Sequence, residues 1–270
     1  MSQQTSLPKY EIYAIRYAHL EKRTRKDNFI STDAHDGAMP MDFFVWLIRS
    51  PERTVLVDTG FGERAAKERQ RQLIKCPIAS LEVLDITPES IQDVIITHLH
   101  YDHAGNLDKL PNARFHIQEA EVHYACGHHM CHGVFRHAYD VEDVVTLVRN
   151  VYADRVVFHE GDTALMPGIE LALIGGHTKG LQSVRVHTAR GWVVLASDAS
   201  HYYDNMHNIS PFPIVYHVGD MVDGYAKLQR LADSPDHIVP GHDPLVLRQY
   251  PRYDAKQIDI VKLHEPPSLV

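Results

Sequence analysis

The sequence predicts an α/β protein in which two β-sheets carry helices on their outer faces. Three observations point there. Apolar runs of strand length recur along most of the chain. Charged or amphipathic stretches of helical character lie between them. Sheets with apolar faces must be covered, and the interspersed helices are the available cover.

The elements follow in order. Tyr10 to Tyr17 reads as the first strand. Phe43 to Ile48 and Thr54 to Val57 are apolar, and the turn residues Ser50-Pro51-Glu52-Arg53 split them. Asp58-Thr59-Gly60 closes the second. Glu63 to Lys75 is charged and helix-prone. Thr87-Pro88-Glu89-Ser90 has a first-turn proline and reads as a helix start. A strand from Val94 to Thr97 follows. Arg114 to Gln118 is another strand, Glu119 to Tyr124 a short helix, and Asp140 to Asn150 has helical periodicity. Val156 to His159, Ile169 to Ile174, Ser183 to His187 and Trp192 to Ala196 read as strands. Gly219 to Ala232 is an amphipathic helix, and His237 to Val239 a last short strand. Ala125 to Tyr139 is expected to be irregular and to cover an active site, since long irregular segments in compact domains are often functional. The 270 residues read as a single domain without repeats or low-complexity blocks.

Composition narrows the function. Apolar residues make up 44%, enough for a sizeable core, and the formal net charge is −8. Such a surface repels nucleic acid and anionic membranes. The short basic cluster Glu21-Lys22-Arg23-Thr24-Arg25-Lys26 reads as a solvated turn. Three cysteines, Cys76, Cys126 and Cys131, argue against a disulfide framework and for a reducing compartment. The N-terminus has no apolar secretion core and no apolar run is long enough to span a bilayer. A cytoplasmic protein is expected.

The most informative stretch is His98-Leu99-His100-Tyr101-Asp102-His103, set between the apolar strand and Ala104-Gly105-Asn106. Imidazole suits zinc and other borderline metals, and a carboxylate adds charge for a second ion. Residues two apart at a strand end point the same way, so His98 and His100 can grip one ion. Asp102 and His103, past the turn, can face another. Three later positions have the chemistry to complete such a site. His177 lies in Gly175-Gly176-His177 after a strand, Asp198 ends the strand from Trp192, and His242 lies in Pro240-Gly241-His242. A carboxylate such as Asp198 can bridge two cations with its two oxygens. A separate zinc knuckle from Cys126, Cys131 and nearby histidines fits no strong template.

With these residues in hand, the chain resembles the metallo-β-lactamase superfamily. The matching elements are Val57-Asp58-Thr59-Gly60, His98-x-His100-x-Asp102-His103, Gly176-His177, Ser197-Asp198 and Gly241-His242, in the family's order. The resemblance implies a four-layer αβ/βα sandwich with a dinuclear site at the edge between two sheets. It implies that His98, His100 and His177 hold one metal, that Asp102, His103 and His242 hold the other, and that Asp198 bridges. Zn2+ is the first expectation for both ions. Asp58 is expected to orient a ligand histidine.

Within that superfamily the chain is similar to the N-acyl-homoserine lactonases, on His98 through Asn106 and on Pro40-Met41-Asp42-Phe43-Phe44. Secreted β-lactamases lack the bridging aspartate. Glyoxalase-II-like, RNA-processing and flavodiiron members carry further domains or carboxylates that find no counterpart here. The lactonases usually place a tyrosine three residues after the bridging aspartate, where this chain has His201, with Tyr202 adjacent. The implied activity is ring opening of a small-molecule lactone or ester by a metal-held hydroxide. Asp102 would act as general acid and His201 as a donor to the developing oxyanion. Met39, Met41, Phe43 and Phe135 are candidates for contact with a substrate tail. Hydrolysis of another ester or a phosphotriester, a non-enzymatic sensor and an iron redox role are the competing readings. A homodimer is compatible with all of them.

Overall fold

The computed structural model describes residues 7–31 and 36–268. The first part of the chain builds most of the larger sheet. Its strands are β1 (Glu11–Leu20), β2 (Met41–Arg49), β3 (Thr54–Val57), the short β4 (Gln72–Leu73), β5 (Asp93–Ile95), β6 (Arg114–Gln118) and β7 (Val156–His159). Between them run α1 (Glu63–Glu68), α2 (Pro77–Ser80), α3 (Glu119–Ala125), α4 (Gly133–Arg136) and α5 (Val141–Tyr152). The second half adds β8 (Thr163–Met166), β9 (Ile169–Leu173), β10 (Gln182–Thr188), β11 (Gly191–Ser197), α6 (Tyr203–His207), α7 (Val218–Leu231), β12 (Ile238–Pro240) and α8 (Leu245–Gln249). The hairpin β13 (Arg252–Asp254) and β14 (Gln257–Lys262) follows.

The larger sheet has the order β13-β14-β1-β2-β3-β5-β6-β7 with β4 on β1, and the smaller one β12-β11-β10-β9-β8. Strands β3, β5, β6 and β7 run parallel, as do β11 and β12. The central β2 is buried on both faces, so its Met41–Ile48 segment is almost continuously apolar. One core lies between the sheets, where Trp46, Phe44 and Val57 meet Val184, Val193 and Leu195. A second packs α1, α2, α3 and α5 on the outer face of the larger sheet through Phe115, Leu81 and Leu147. A third packs α7 on the outer face of the smaller sheet through Met221, Tyr225 and Leu228. These three cores separate four layers, the αβ/βα sandwich.

Several elements differ from expectation for identifiable reasons. The helix after Glu63 stops at Glu68 because Gln70 turns left-handed, at φ 54°. Residues 72–73 then pair with β1 instead of continuing the helix. Strand β5 ends at Ile95, two residues early, because the Thr97 N–H donates to the Asp58 carboxylate at 2.7 Å rather than to a ladder. Pro88–Ser90 forms a single 3-10 turn, and Ile91 is extended and buried. The segment Ala125–Tyr139 is largely helical, a 3-10 turn at His128–Cys131 followed by α4. Strands β4, β8, β13 and β14 and helices α2, α6 and α8 were not anticipated. Among the described residues no helix is long and apolar enough to cross a membrane.

Candidate metal centre

Strand ends of both sheets deliver the site. His98–His103 follow β5, His177 follows β9, Asp198 follows β11 and His242 follows β12. Each is placed by tight backbone geometry. The loop Asp58–Gly60 clasps the histidine motif: the Thr59 N–H donates to the His103 carbonyl at 2.7 Å, and the Gly105 N–H to the Gly60 carbonyl at 2.7 Å. Gly176 has φ +81° and lies against Met221, where a Cβ would come within 2.5 Å of backbone nitrogen.

The seven expected residues come together as two facing groups. Nε2 of His177 lies 3.2 Å from Nε2 of His98 and 2.9 Å from Nδ1 of His100. Nε2 of His103 and Nε2 of His242 each lie 3.8 Å from Oδ2 of Asp102. Asp198 stands between the groups. Its Oδ2 is 3.3 Å from His177 and 3.8 Å from His98, while its Oδ1 is 3.3 Å from His103 and 3.0 Å from His242.

Three imidazoles have their outward nitrogen fixed. Nδ1–H of His177 donates to the Ile214 carbonyl at 2.7 Å, and that of His242 to the Asp42 carbonyl at 2.8 Å. His103 directs Nδ1 at Asp58 Oδ2, 2.7 Å away. With Nδ1 so engaged, Nε2 of His177 and of His242 faces the centre as an acceptor, and Nε2 of His103 does so once its proton is lost, the arrangement that metal-bound histidines need.

The donor set passes a test for a divalent ion. Nε2 of His177 is an acceptor, yet ring nitrogens of His98 and His100 converge on it at 3.2 and 2.9 Å. Buried Nε2 of His103 and Oδ1 of Asp198 have no hydrogen-bond partner among the described residues. Tetrahedral donors bonded to one zinc ion at about 2.0–2.1 Å stand about 3.3 Å apart. Within each group the donor atoms all lie within 4.8 Å of one another. The fold and this His/Asp cluster together point to divalent metal binding.

Protonation follows from burial and charge. Burial drives His98 and His100 well below the usual imidazole value, so both are neutral. Burial would also lower His103, but Asp198, Asp102 and Asp58 hold it well above that value. Burial would raise Asp198, but His242, His201 and His103 hold it well below the ordinary carboxylate range. A metal entering the second group therefore displaces a proton from His103.

His201 also faces the centre. Its Nε2 lies 2.8 Å from Asp198 Oδ2, and its ring stacks on Phe212 with centroids 3.3 Å apart. Burial, against the pull of Asp198, drives it well below its usual value, so it is neutral. Nε2–H then donates to Asp198, and buried Nδ1 has no partner. Tyr202 points elsewhere, its hydroxyl toward the Pro40 carbonyl at 3.2 Å.

Two groups escaped the sequence reading. Glu121, fully buried on α3, accepts N–H from Leu99 and Gly180 and the Tyr139 hydroxyl, each at 3.0 Å. It thus ties the His98–His100 strand end to the His177 loop. Arg23, Arg69 and Arg71 line the cavity of about 110 Å3 over the metal residues, with Met41 and Phe43. Arg23 therefore does more than sit in a solvated turn. Met39 and Phe135 do not line that cavity, and of the expected cover segment only His137 and Ala138 do. Cys126 and Cys131 are exposed and belong to no metal-holding group among the described residues.

Known proteins are similar to this chain. A sequence profile described as the Metallo-beta-lactamase superfamily matches residues 44–242. An N-acyl homoserine lactonase of Bacillus sp is 29% identical over 189 residues, 64% of this chain and 70% of its own length. The N-acyl homoserine lactonase AttM of Azorhizobium caulinodans is 25% identical over 251 residues, 86% of this chain and 93% of its own. Among solved structures, a quorum-quenching N-acyl homoserine lactone lactonase superposes with a TM-score of 0.72 at 23% identity, covering 89% of this chain and 95% of that one. With the profile spanning most of its length, this chain belongs to the metallo-beta-lactamase superfamily and is a metal-dependent hydrolase.

Proposed function

We propose that the chain is a lactonase that opens a lactone ring by hydrolysis at a pair of divalent ions, with zinc the first choice for both. The observation that carries this is Asp198, whose two oxygens face two separate histidine groups. His98, His100 and His177 would hold one ion, Asp102, His103 and His242 the other, and Asp198 would bridge. Five imidazoles and two carboxylates are a borderline donor set that suits zinc. Such a pair of ions supplies a hydroxide near neutral pH and Lewis acidity at a carbonyl oxygen.

The chain's own residues then divide the work. Asp102 has the more exposed side chain of the two carboxylates, 11% against 4% for Asp198. It is placed to take a proton from the addition product and give it to the departing ring oxygen. His201 fixes Asp198 through Nε2–H, and the same N–H would serve as an oxyanion donor by turning from Asp198 to the substrate oxygen. Met41 and Phe43 give the cavity an apolar wall. N-acyl-homoserine lactones, the substrates named for the relatives, are the first lactones to test.

The test follows ring opening by proton release, using zinc-loaded protein with short- and long-chain acyl-homoserine lactones, simple γ- and δ-lactones, an aryl ester and a phosphotriester. Two zinc ions per chain and turnover of lactones above the other esters are expected. Full activity after removal of metal by chelator would sink the proposal. His201→Ala is expected to lower turnover with metal content retained, and an unchanged rate would take His201 out of the chemistry.

A further inference from the structure

We propose that the substrate of this site carries an anionic group, a carboxylate or phosphate, which Arg23, Arg69 and Arg71 receive at the mouth of the metal cavity. The inference deepens the lactonase reading and rests on it. All three guanidinium side chains line both the cavity over the metal residues and the adjoining cleft of about 800 Å3.

Their partners leave their charge unpaired. Arg69 donates to the carbonyls of His137 and Tyr139 at 2.7 and 2.9 Å and lies over the Tyr101 ring, 3.9 Å from its centroid. Arg71 donates to the Tyr101 hydroxyl at 3.0 Å and the Arg69 carbonyl at 2.7 Å. Arg23 donates to the Asn28 side chain and to the Asp27 carbonyl. Every acceptor is neutral. Among the described residues none of the three forms an ion pair; Arg136, Arg155 and Arg190 are likewise held by neutral acceptors, and what sets the three apart is that they line the metal cavity together.

The acids nearby are engaged. Glu21 pairs with His19 at 2.8 Å, and Asp27 accepts from the Thr24 N–H at 2.9 Å. Asp102 and Asp198 face the histidine groups. Three guanidinium groups without an ion-pair partner line one cavity, and an anion arriving there is attracted by all of them. Guanidinium groups held by neutral acceptors keep further N–H donors in fixed directions, the geometry that receives carboxylate or phosphate. A neutral acyl-homoserine lactone offers these donors only carbonyl oxygens.

The zinc-loaded full chain is assayed with γ-lactones that differ in one substituent: a carboxylate, its methyl ester, or a phosphate. The charged lactones are expected to exceed the methyl ester in kcat/KM by about ten- to hundred-fold, mainly through KM. Arg71→Met and, on a separate segment, Arg23→Met should each reduce that ratio at least tenfold, with Arg71→Lys retaining part of it. Equal efficiency on charged and neutral lactones in the unaltered chain, or an equal loss on both in the variants, overturns the proposal. If no lactone opens, the ring-opening reading fails and binding decides the arginine assignment. Inorganic phosphate and glutarate are then titrated calorimetrically into the zinc-loaded chain and the same variants. Weakening of at least tenfold in the variants sustains an oxyanion site and shows which oxyanion it prefers; unchanged affinity for both overturns it.

Discussion

Asp58 Oδ2 lies 2.7 Å from Nδ1 of His103, across 45 residues of sequence, and both side chains are fully buried. The same carboxylate accepts the Thr97 N–H at 2.7 Å and the Thr97 hydroxyl at 2.8 Å. It sits at the end of β3 with φ 61°, a strained placement for a non-glycine residue. One buried acid thus fixes both the ring orientation of His103 and the point where β5 turns into the metal motif.

Asp58→Asn should loosen that orientation without removing any metal donor. Loss of such an outer partner typically costs 10- to 100-fold in metal affinity or activity. The expected result is a folded chain whose metal content falls below that of the unaltered protein on dialysis against a weak chelator. Equal metal retention, read by elemental analysis, would show that His103 needs no partner.

Glu121 makes a different prediction, because its two oxygens hold backbone from two strand ends. In Glu121→Gln an amide N–H2 must face either the Gly180 N–H or the Leu99 N–H, and one buried donor loses its acceptor. The cost is about 1–3 kcal/mol, read as a lower denaturation midpoint with an unchanged denaturant slope. There is no room to compensate at Gly180, where a Cβ would approach the Glu121 backbone to 2.2 Å. An unfolding midpoint equal to that of the parent chain contradicts the role.

How much of this was readable in the sequence depends on what each residue's neighbours reveal. His98, His100, His177 and His242 sit at strand ends beside glycines or one another, and Asp198 closes an apolar strand, so local pattern exposes them. Asp58 follows from the Asp-Thr-Gly turn. Glu121 shows no such signal, since a lone glutamate in the first turn of a helix is ordinarily solvated. Arg69 and Arg71 lie in a stretch whose charge suggests continued helix, and only the left-handed Gln70 and the pairing of Gln72–Leu73 with β1 turn them toward the cavity. Strand β14 did carry a signal: Ile258 and Ile260 alternate with polar Gln257 and Asp259. The four-layer architecture was legible because apolar runs on strands and one-sided helices leave few ways to cover two sheets.

Gly241 yields a test of packing at the bridge. A Cβ there would meet the Ser197 backbone at 2.8 Å and Asp198 Oδ1 at 2.9 Å. Those contacts are shorter than carbon and oxygen tolerate, and Ser197 is backbone that cannot swing aside. Gly241→Ala should therefore displace Asp198, lowering metal content and turnover together while secondary structure by circular dichroism stays. Normal metal content in this variant would mean that Asp198 has slack the packing does not show.

Asp143 lies away from the metal residues and predicts a pH effect. Burial and its neighbour Asp140 push its carboxyl up to about 7, against the pull of Arg64 and Arg69. In the unfolded chain an aspartate titrates near 3.9. Between those values the folded protein binds a proton that the unfolded chain has released. Stability therefore falls as pH rises through that window, and stays lower above pH 7. Asp143→Asn removes the titration. It should flatten the slope of stability between about pH 4 and 7 and raise stability at pH 8 by on the order of 2 kcal/mol. Urea unfolding of both chains at pH 5 and pH 8 measures this, and parallel pH profiles would show that Asp143 is ionised in the fold as it is in water.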